Sequence, residues 1–338
     1  MDLVTFGEAM LRLTPPGMQR LEQARSLDVQ VGGGELNVAV GAARLGVATG
    51  WVSRLPSNAV GRLIGNRARE HGVDLSRVLW TPDDRAGIYF AELGAAPRAS
   101  SVLYDRGGSA LSRIAPGMVD WAAVFKGARW FHTSGITPAL SDSAAAATAE
   151  SLTAAKQAGL TVSYDLNYRS KLWSPEHARM VQEPLLQLVD VLIATEEDTR
   201  LVLGIESGAG DLFDRIDAEA FAAVARAIHD RFGVRAVVIT LRANPRVWLN
   251  SWSALLFVHG RVLRAPRYEV EIVDRIGAGD AFSAGLIFAR LRGDDWDSAL
   301  RLATAVSALK HTIPGDFSLS TLDDVERVLA GASLRVSR

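Results

Sequence analysis

One stretch near the C-terminal end decides how the rest of the chain is interpreted, and it reads Val273-Asp-Arg-Ile-Gly277-Ala-Gly279-Asp280-Ala-Phe-Ser-Ala-Gly285. Two glycines surround an alanine, an aspartate follows, and the apolar pattern after it is typical of a helix. Glycine adopts positive φ readily and lets backbone N–H groups crowd around a bound group. A helix that begins here presents unpaired N–H groups and the positive end of its dipole, and both attract an anion.

The residue types in this stretch predict a phosphoryl-transfer site. The backbone of Gly277, Ala278 and Gly279 is predicted to form an anion hole for the moving phosphoryl group. Asp280 is predicted to be the base that takes the proton from an attacking hydroxyl. For the four residues alone a simpler interpretation stays open, because Asp in a Gly-x-Gly-Asp turn can also cap a helix.

Length and composition limit the remaining choices. The chain has 338 residues, with 37 Lys and Arg against 38 Asp and Glu, so no general attraction to nucleic acid or to an anionic membrane is expected. It contains no cysteine, which excludes disulfides, thiolate metal sites and a cysteine nucleophile. The N-terminal apolar run is too short for a signal sequence, and no uncharged apolar stretch of roughly 18 residues occurs. We therefore expect a soluble cytoplasmic protein.

The order of strand-like and helix-like segments predicts an α/β protein. Buried strands are predicted at 3–8, 48–54, 130–136, 160–165, 189–194 and 236–241, and helices at 58–71, 143–159, 218–231, 297–311 and 321–329. Shorter strand patterns at 11–13, 27–31, 88–93 and 101–104 interrupt this alternation and predict a small sheet that projects from the core as a lid, formed by about 11–33 and 85–112. No repeat or linker divides the chain, so residues 1–338 are predicted to form one domain.

Two glycine motifs resemble the signatures of the ribokinase-like (PfkB-type) carbohydrate kinases. The second signature, Asp-Thr-x-Gly-Ala-Gly-Asp-x-Phe, is matched from Asp274 to Phe282, with Arg275 at the place of the Thr. The run Gly32-Gly33-Gly34-Glu-Leu-Asn37 resembles the first signature. The resemblance covers nearly the whole chain. It implies a doubly wound, mainly parallel sheet flanked by helices, a small β-sheet lid over the sugar, and ATP with Mg2+ as cofactors.

Three shorter segments resemble one subgroup, the 2-keto-3-deoxygluconate kinases. They are Tyr104-x-Arg-x-x-Ser-Ala-x-Ser112, Asp165-x-Asn-x-Arg-x-x-Leu-Trp173 and the stretch 310–317. This resemblance implies transfer of the γ-phosphoryl group of ATP to the 6-hydroxyl of a sugar acid. Arginine suits the substrate carboxylate because its planar fork carries several N–H donors.

The resemblance also implies roles for residues that ligands would reach at the carboxyl ends of the strands. The predicted substrate contacts are Gly33, Gly34, Asn37, Tyr89, Tyr104, Arg106, Arg169 and Asp316. The predicted ATP contacts are Asn167, Thr240, Arg242, Gly277 and Gly279, with residues 242–254 taken as a loop near adenine. Asp198 is predicted to hold Mg2+ through water, since carboxylates near phosphates suit a cation that keeps its waters.

Structural interpretations of several of these residues stay open. The glycine run with Asn37 can be a turn with a cap, Asn167 can cap a helix, and the acidic residues up to Asp198 can be a solvated helix start. Tyr89 and Tyr104 can serve packing alone.

Other functions also stay open. The substrate can be a neutral sugar such as fructose or ribose, or a nucleoside. The chain can instead be a non-catalytic sugar-sensing module on a kinase fold. A dinucleotide-binding dehydrogenase is disfavoured, because residues 32–34 do not give Gly-x-Gly-x-x-Gly after a first strand. An exposed edge of the lid sheet predicts a homodimer or higher oligomer.

Overall fold

A ten-stranded sheet forms the centre of the protein in a computed structural model that describes residues 1–206 and 218–331. In chain order the strands are β1 (Leu3–Phe6), β2 (Met10–Thr14), β3 (Asp28–Gly32), β4 (Thr49–Pro56), β5 (Val78–Thr81), β6 (Gly87–Glu92), β7 (Ser101–Asp105), β8 (Trp130–Ser134), β9 (Thr161–Asp165), β10 (Val191–Thr195), β11 (Ala236–Arg246), β12 (Leu249–Val258), β13 (Arg261–Arg264) and β14 (Tyr268–Glu271). The helices are α1 (Gly34–Arg44), α2 (Ala59–Glu70), α3 (Trp121–Phe125), α4 (Asp142–Gln157), α5 (Pro175–Leu186), α6 (Glu196–Leu203), α7 (Ala218–Phe232), α8 (Ala278–Arg292), α9 (Trp296–Lys310) and α10 (Leu322–Leu329).

The large sheet has the order β13-β12-β11-β10-β9-β8-β1-β4-β5, with β14 also paired to β12. Its strands are parallel from β11 to β5, and the pairs that involve β12 are antiparallel. Because successive side chains point to opposite faces, Val191 and Ile193 of β10 pack in one core, whereas Leu192 and Ala194 pack in another. Helices cover both faces, so the predicted doubly wound α/β fold is confirmed.

A second, small sheet has the strand order β3-β2-β6-β7. It is built from the segments predicted for it, and its pleat gives it two different faces. Met10, Arg12 and Tyr89 share one face and are buried, while Leu103 on the other face is 57% exposed. The buried face therefore carries polar and aromatic groups, which indicates that this face lines a binding site.

Small residues bring the helices that carry the glycine motifs close together. A Cβ on Gly41 of α1 would lie 2.9 Å from the Cβ of Ala284 in α8, and one on Gly285 would lie 2.9 Å from the Cα of Ala303 in α9. Side chains larger than hydrogen at these positions would force the helices apart. The close packing places the N-terminal ends of α1 and α8 side by side at the carboxyl edge of the large sheet.

The predicted loop at 242–254 is wrong. Strand β11 continues to Arg246 and β12 begins at Leu249, so the two form a long hairpin in which Ala243 pairs with Ser251. The sequence interpretation also missed β5, α3, α5 and β14. Of the helices in the described residues, none is both long and apolar enough to cross a bilayer.

Candidate active site

A cavity of about 540 Å3 lies between the carboxyl edge of the large sheet and the buried face of the small sheet. Every residue nominated from the sequence lines this one cavity. They are Gly33, Gly34, Asn37, Tyr89, Tyr104, Arg106, Asn167, Arg169, Asp198, Thr240, Arg242, Gly277, Ala278, Gly279, Asp280 and Asp316. The structure thus brings together residues that lie up to almost 300 positions apart in the chain.

The start of α8 is open to the cavity. Gly277 precedes the helix with φ 84°, and the structure shows no side-chain hydrogen bond that caps this helix end. A Cβ on Gly279 would meet no atom within 4 Å, so space lies directly beside the first turn. The first amides of a helix have no acceptor within it. This arrangement can bind an anion, and a phosphoryl group fits the open first turn.

Asp280 lies in the first turn of α8, at the wall of the cavity. Asn37 donates from Nδ2 to Asp280 Oδ2 at 2.7 Å and accepts from the Gly33 amide at 3.2 Å. Burial raises the pKa of Asp280 to about 6, although the Asn37 bond and the charge of Arg169 lower it. A carboxylate with this pKa is ionised at neutral pH and is a stronger base than an exposed aspartate. Asn37 is therefore placed to orient Asp280 as well as to contact a ligand.

Arg12 is a buried site residue that the sequence interpretation missed. Its guanidinium lies 2.9 Å from Asp316 Oδ1 and 2.8 Å from Asp274 Oδ2, and its side chain is 1% exposed. Tyr89 donates its hydroxyl to the other oxygen of Asp316. Burial raises the pKa of Asp316, while Arg12 lowers it. The sequence does contain a signal for this role: Arg12 lies on the same strand face as Met10, where alternation predicts an apolar side chain.

Asp274 joins the loop before α8 to the chain segment that carries Asp316. Its Oδ1 accepts from the Ile276 amide at 3.1 Å, and its Oδ2 accepts from the Gly315 amide at 3.0 Å. A Cβ on Gly277 would lie only 2.0 Å from the carbonyl oxygen of Asp316. These contacts fix the loop that leads into the helix start.

Arg106 is already engaged by protein groups. Its Nε and Nη2 both donate to Glu8 Oε2, and Ser109 donates to the other oxygen of Glu8. Its guanidinium also lies 5.5 Å from the centre of the Tyr104 ring. Arg106 is 8% exposed and Glu8 4%. This buried ion pair holds the arginine at the cavity wall, where the positive charge faces the space that Tyr104 also lines.

A second polar group lies where β9 and β10 end. The amide of Asn167, a residue with φ 41°, donates to Asp165 at 3.0 Å, and Arg169 is exposed beside it. Burial and the charges of Asp198 and Asp280 raise the pKa of Asp165 well above its usual range. Binding of a positively charged group or of a hydrogen-bond donor is therefore favoured at this end of the cavity.

Asp198 has a structural role in addition to its place in the cavity wall. It accepts from the amide of Tyr168 at 3.1 Å and from the amide and hydroxyl of Thr195 at 3.0 and 2.7 Å. The bond from the Thr195 amide, together with a return bond from the Asp198 amide to the Thr195 hydroxyl at 3.2 Å, forms a capping box at the start of α6. Within residues 1–206 and 218–331, no group of three or more acidic or histidine side chains is arranged to hold a metal ion directly.

The far end of the cavity is formed by the β11–β12 hairpin. Thr240 is buried, with its hydroxyl 3.5 Å from the Ala194 carbonyl oxygen, and Arg242 lies 3.9 Å from Glu197. Arg275 donates to the Val247 carbonyl at 3.0 Å. Asn250, Trp252 and His311 also line this end, and none of the three was nominated from the sequence.

Glu35 is a buried acid near Asp280 that the sequence interpretation also missed. Its Oε1 accepts from Ser134 at 2.6 Å and from Thr137 at 3.3 Å, while its Oε2 has no hydrogen-bond partner in the structure. Burial raises its pKa to about 7, and the charge of Asp280 contributes in the same direction. A glutamate in the first turn of α1 beside the glycine run was the signal in the sequence.

Three comparisons with known proteins agree with one another, and each match extends over most or all of the chain. The profile of the pfkB family carbohydrate kinases matches residues 1–320. A 2-dehydro-3-deoxygalactonokinase of Haloferax volcanii is 40% identical over 337 residues, which is 100% of this chain and 99% of the relative. A 2-dehydro-3-deoxygluconokinase of Thermoproteus tenax is 31% identical over 93% of this chain and 90% of its own length. The crystal structure of the 2-dehydro-3-deoxygluconokinase of Thermotoga maritima superimposes with a TM-score of 0.93 at 42% identity, covering 98% of this chain and 100% of that one.

Proposed function

The chain belongs to the pfkB family of carbohydrate kinases, and from that membership we propose that it transfers the γ-phosphoryl group of ATP to the 6-hydroxyl of 2-keto-3-deoxygluconate. The observation that carries the proposal is the position of Asp280 in the open first turn of α8, in a cavity that Arg106 and Arg169 also line. A base beside unpaired amides is what phosphoryl transfer to an alcohol requires.

The transfer uses the groups at the start of α8. Asp280 accepts the proton of the sugar hydroxyl as the hydroxyl oxygen forms its bond to phosphorus. The bond between phosphorus and the β–γ bridging oxygen of ATP breaks, and the products are ADP and the sugar 6-phosphate. The amides of Gly277, Ala278 and Gly279 hold the negative charge of the moving group, because they are fixed in place before the reaction begins.

Arg106 and Arg169 support an acidic substrate. Both line the cavity, and the buried pair with Glu8 fixes the orientation of Arg106. A guanidinium is suited to bind the carboxylate of a sugar acid. Gly33, Gly34, Asn37, Tyr89, Tyr104 and Asp316 are the proposed contacts to the rest of the sugar. A neutral sugar such as fructose or ribose, or a nucleoside, has no carboxylate for these guanidinium groups to bind.

The residues present fit ATP with Mg2+. Asn167, Thr240 and Arg242 line the cavity between the helix start and the hairpin, so they are the proposed contacts along the nucleotide. Asp198 is held rigidly by its capping bonds and would bind Mg2+ through water, with Glu197 beside it. The bound ion would neutralise phosphate charge, and Mg2+ usually keeps several of its own waters.

The small sheet is proposed to act as the lid. Its buried face forms one wall of the cavity through Met10, Tyr89 and Tyr104. Closure over the sugar would exclude water, which otherwise competes with the sugar hydroxyl as the phosphoryl acceptor.

A second candidate substrate is 2-keto-3-deoxygalactonate, which differs from the gluconate in its configuration at one carbon. It is favoured by the 40% identity to the enzyme of Haloferax volcanii, whose name specifies the galactonate. Both sugar acids present the same carboxylate and primary hydroxyl, so the contacts argued above hold for either.

A coupled assay of ADP release tests the proposal directly. It would compare both keto-deoxy acids with fructose, ribose and a nucleoside, each with ATP and Mg2+. We expect turnover with the acids and a kcat/KM for neutral sugars that is lower by roughly a hundredfold or more, since a neutral sugar lacks the charge-assisted hydrogen bonds that a carboxylate makes to arginine. A preference for a neutral sugar would reject the acid assignment. ADP release with none of them would favour a sugar-sensing module.

Asp280→Asn is the decisive variant. Because a positioned base typically contributes about 100- to 10,000-fold, we expect kcat to fall by that factor while the variant folds and binds ATP. Asp83→Asn is a matched control, since Asp83 is exposed and does not line the cavity. An Asp280→Asn enzyme as active as this control would remove Asp280 from the mechanism.

A further inference from the structure

Lys310 is a buried cation that the proposed reaction does not use. It is the last residue of α9 and is 0% exposed. Its ammonium donates to the carbonyl oxygens of Asp274 at 3.3 Å and Ile313 at 3.0 Å. An ammonium removed from water is costly unless protein groups replace its hydration. These two bonds, and the negative end of the α9 dipole, supply that replacement.

The two carbonyl groups belong to separate segments, and each segment carries an acid of the site. Asp274 begins the anion-hole loop (274–279), which leads directly to Asp280. Ile313 lies in the turn that ends at Asp316, which we call the C-terminal turn (311–316). The Lys310 ammonium therefore bridges the two segments from the side away from the cavity, since Lys310 is not part of the cavity lining.

Other contacts at the same junction leave little room for independent movement. The carboxylate of Asp274 accepts from the Gly315 amide at 3.0 Å, and Gly277 lies against the backbone of Asp316. Ser307, one turn before Lys310, donates to the Ala278 carbonyl at 2.6 Å. The end of α9 thus supports the start of α8 through two side chains, and Lys310 is the charged one.

We propose that Lys310 is a positioning residue for phosphoryl transfer: its ammonium ties the anion-hole loop to the C-terminal turn and supplies positive charge behind Asp280. The inference rests on the proposed kinase function. It assigns Lys310 no contact with substrate or nucleotide, so its effect reaches the reaction through Asp280 and the amides of the loop.

Electrostatics agrees with this geometry. The positive charge of Lys310 lowers the pKa of Asp280, against the larger effect of burial, and burial lowers the pKa of Lys310 itself. Charged groups from every neighbouring element act at the same place, namely Glu35 of α1, Asp165 and Arg169 at the end of β9, Arg12 of β2, Asp274 and Asp316. Removing the ammonium from this set increases the excess of negative charge and raises the pKa of Asp280.

Two substitutions distinguish the bridging hydrogen bonds of the Lys310 ammonium from its positive charge. Lys310→Met removes both, whereas Lys310→Gln keeps an N–H donor for a carbonyl and removes only the charge. Lys126→Met is the matched control, because Lys126 is exposed at the end of α3. Since a small misplacement at a reacting centre can cost on the order of a hundredfold, we expect kcat of Lys310→Met to fall by about ten- to a hundredfold. Lys310→Gln should recover part of kcat.

The pH dependence distinguishes this role from a purely structural one. In both Lys310 variants the acid limb of the kcat/KM profile should move up by about half a pH unit or more, because a neighbouring positive charge has been lost. The pKa of Asp280 can also be followed without turnover, by carbon NMR of Asp-labelled protein with the signal assigned from Asp280→Asn. If wild type turns over no sugar, the proposed function fails, while this titration still tests Lys310.

The inference is overturned if the pKa of Asp280 in Lys310→Gln equals that in the Lys126→Met control. It is also overturned if both Lys310 variants keep the kcat of the control, or if kcat falls only as far as the folded fraction falls. Should Lys310→Met not fold, Lys310→Gln decides alone.

Discussion

At the scale of single residues, the environment of Asp280 predicts the pH range in which the enzyme works. With a pKa of about 6, the proposed base is mostly protonated below that pH and cannot accept the proton of the sugar. We expect kcat/KM to be level at neutral pH and to fall tenfold per unit below about pH 6. Asn37→Ala removes the donor that favours the ionised form, so its acid limb should move up by about one unit. The measurement is kcat/KM from pH 5 to 8.

Asn66→Ala is the control for this experiment, because the Asn66 side chain is exposed on α2 and accepts a hydrogen bond from its neighbour Arg69. Its profile should coincide with that of the wild type. An Asn37→Ala limb that stays in place, or moves to lower pH, contradicts the assigned bond between Asn37 and Asp280.

Gly277 is a position where a single methyl group should stop the reaction. Its φ is 84°, and an added Cβ would lie 2.0 Å from the Asp316 carbonyl oxygen. We expect Gly277→Ala to lower kcat by about a hundredfold, since displaced amides no longer meet the phosphoryl group. Steady-state kinetics and thermal unfolding measure the two effects.

Gly72→Ala separates backbone strain from the clash. Gly72 has a similar φ of 82°, but a Cβ there meets nothing within 4 Å. This control should lose about 1 to 2 kcal/mol of stability from strain and keep its kcat. If Gly277→Ala behaves like Gly72→Ala, the anion-hole loop is not rigid.

Glu35 predicts a pH-dependent cost in stability. Its pKa is about 7 in the folded protein against a usual 4.5, so the folded state holds its proton more tightly than the unfolded state. Stability should therefore fall as pH rises from about 4.5 to 7, with the full cost present above pH 7. Glu35→Gln removes the charge, and at 1.36 kcal/mol per pKa unit it should raise the free energy of unfolding at pH 8 by at most roughly 3 kcal/mol.

Denaturant unfolding at pH 5 and pH 8 tests this sign. The gain in Glu35→Gln should be present at pH 8 and nearly absent at pH 5, where the wild-type side chain already carries its proton. An equal gain at both pH values would show that packing, and not the charge of Glu35, is responsible.

At the scale of elements, the sequence predicted most of the fold because alternating strands and helices leave a clear periodicity. The strand at 160–165 and the helix at 143–159 were placed within about two residues of β9 and α4. The β11–β12 hairpin was missed in part, since Arg242 and its neighbours break the apolar run and resemble a loop. Pairing across the hairpin, from Arg242 with Trp252 to Ala236 with Val258, stabilises that segment as strand, and such pairing depends on residues distant in sequence.

At the site, too, local signals could be predicted from the sequence and contacts between distant residues could not. Glycine motifs and polar residues at strand ends identified the cavity lining, because local backbone chemistry reveals them. Arg12, Glu8, Glu35 and Lys310 were missed because their roles depend on partners that only the folded chain brings near. Arg12 meets Asp316 across 304 positions, and no local pattern encodes that contact.

The ion pairs of Arg12 predict how strongly β2 is anchored. Its guanidinium neutralises the buried carboxylates of Asp274 and Asp316. Arg12→Met would remove the ion-pair partner of both carboxylates, so we expect the free energy of unfolding to fall by about 3 to 5 kcal/mol. Arg25→Met is the control, because Arg25 is exposed. Urea unfolding measures both variants, and equal midpoints would mean that Arg12 contributes no net stability.

At the scale of the whole molecule, the two sheets meet across the cavity through a small number of polar contacts. The ion pairs of Arg12 and the Arg106–Glu8 pair are buried and join the small sheet to the rest of the protein. Lys171 is different, because it is exposed in the loop after β9 and donates to the Val102 carbonyl of β7 at 2.6 Å. Its ammonium also lies 5.8 Å from the centre of the Tyr104 ring. This contact can break and form again as the proposed lid moves.

Lys171→Met should therefore weaken substrate binding without affecting the chemical step. A hydrogen bond of this kind contributes about 0.5 to 1.5 kcal/mol, so we expect KM for the sugar acid to rise by about two- to twelvefold while kcat stays within twofold. Folding stability should not change, because the side chain is exposed. Hydrogen exchange in β7 should increase, because the contact with the Val102 carbonyl is lost. Lys126→Met, which removes an equally exposed lysine far from the small sheet, should change neither quantity. A fall in kcat with an unchanged KM would place Lys171 in the transfer step. The main evidence that the small sheet acts as a lid would then be lost.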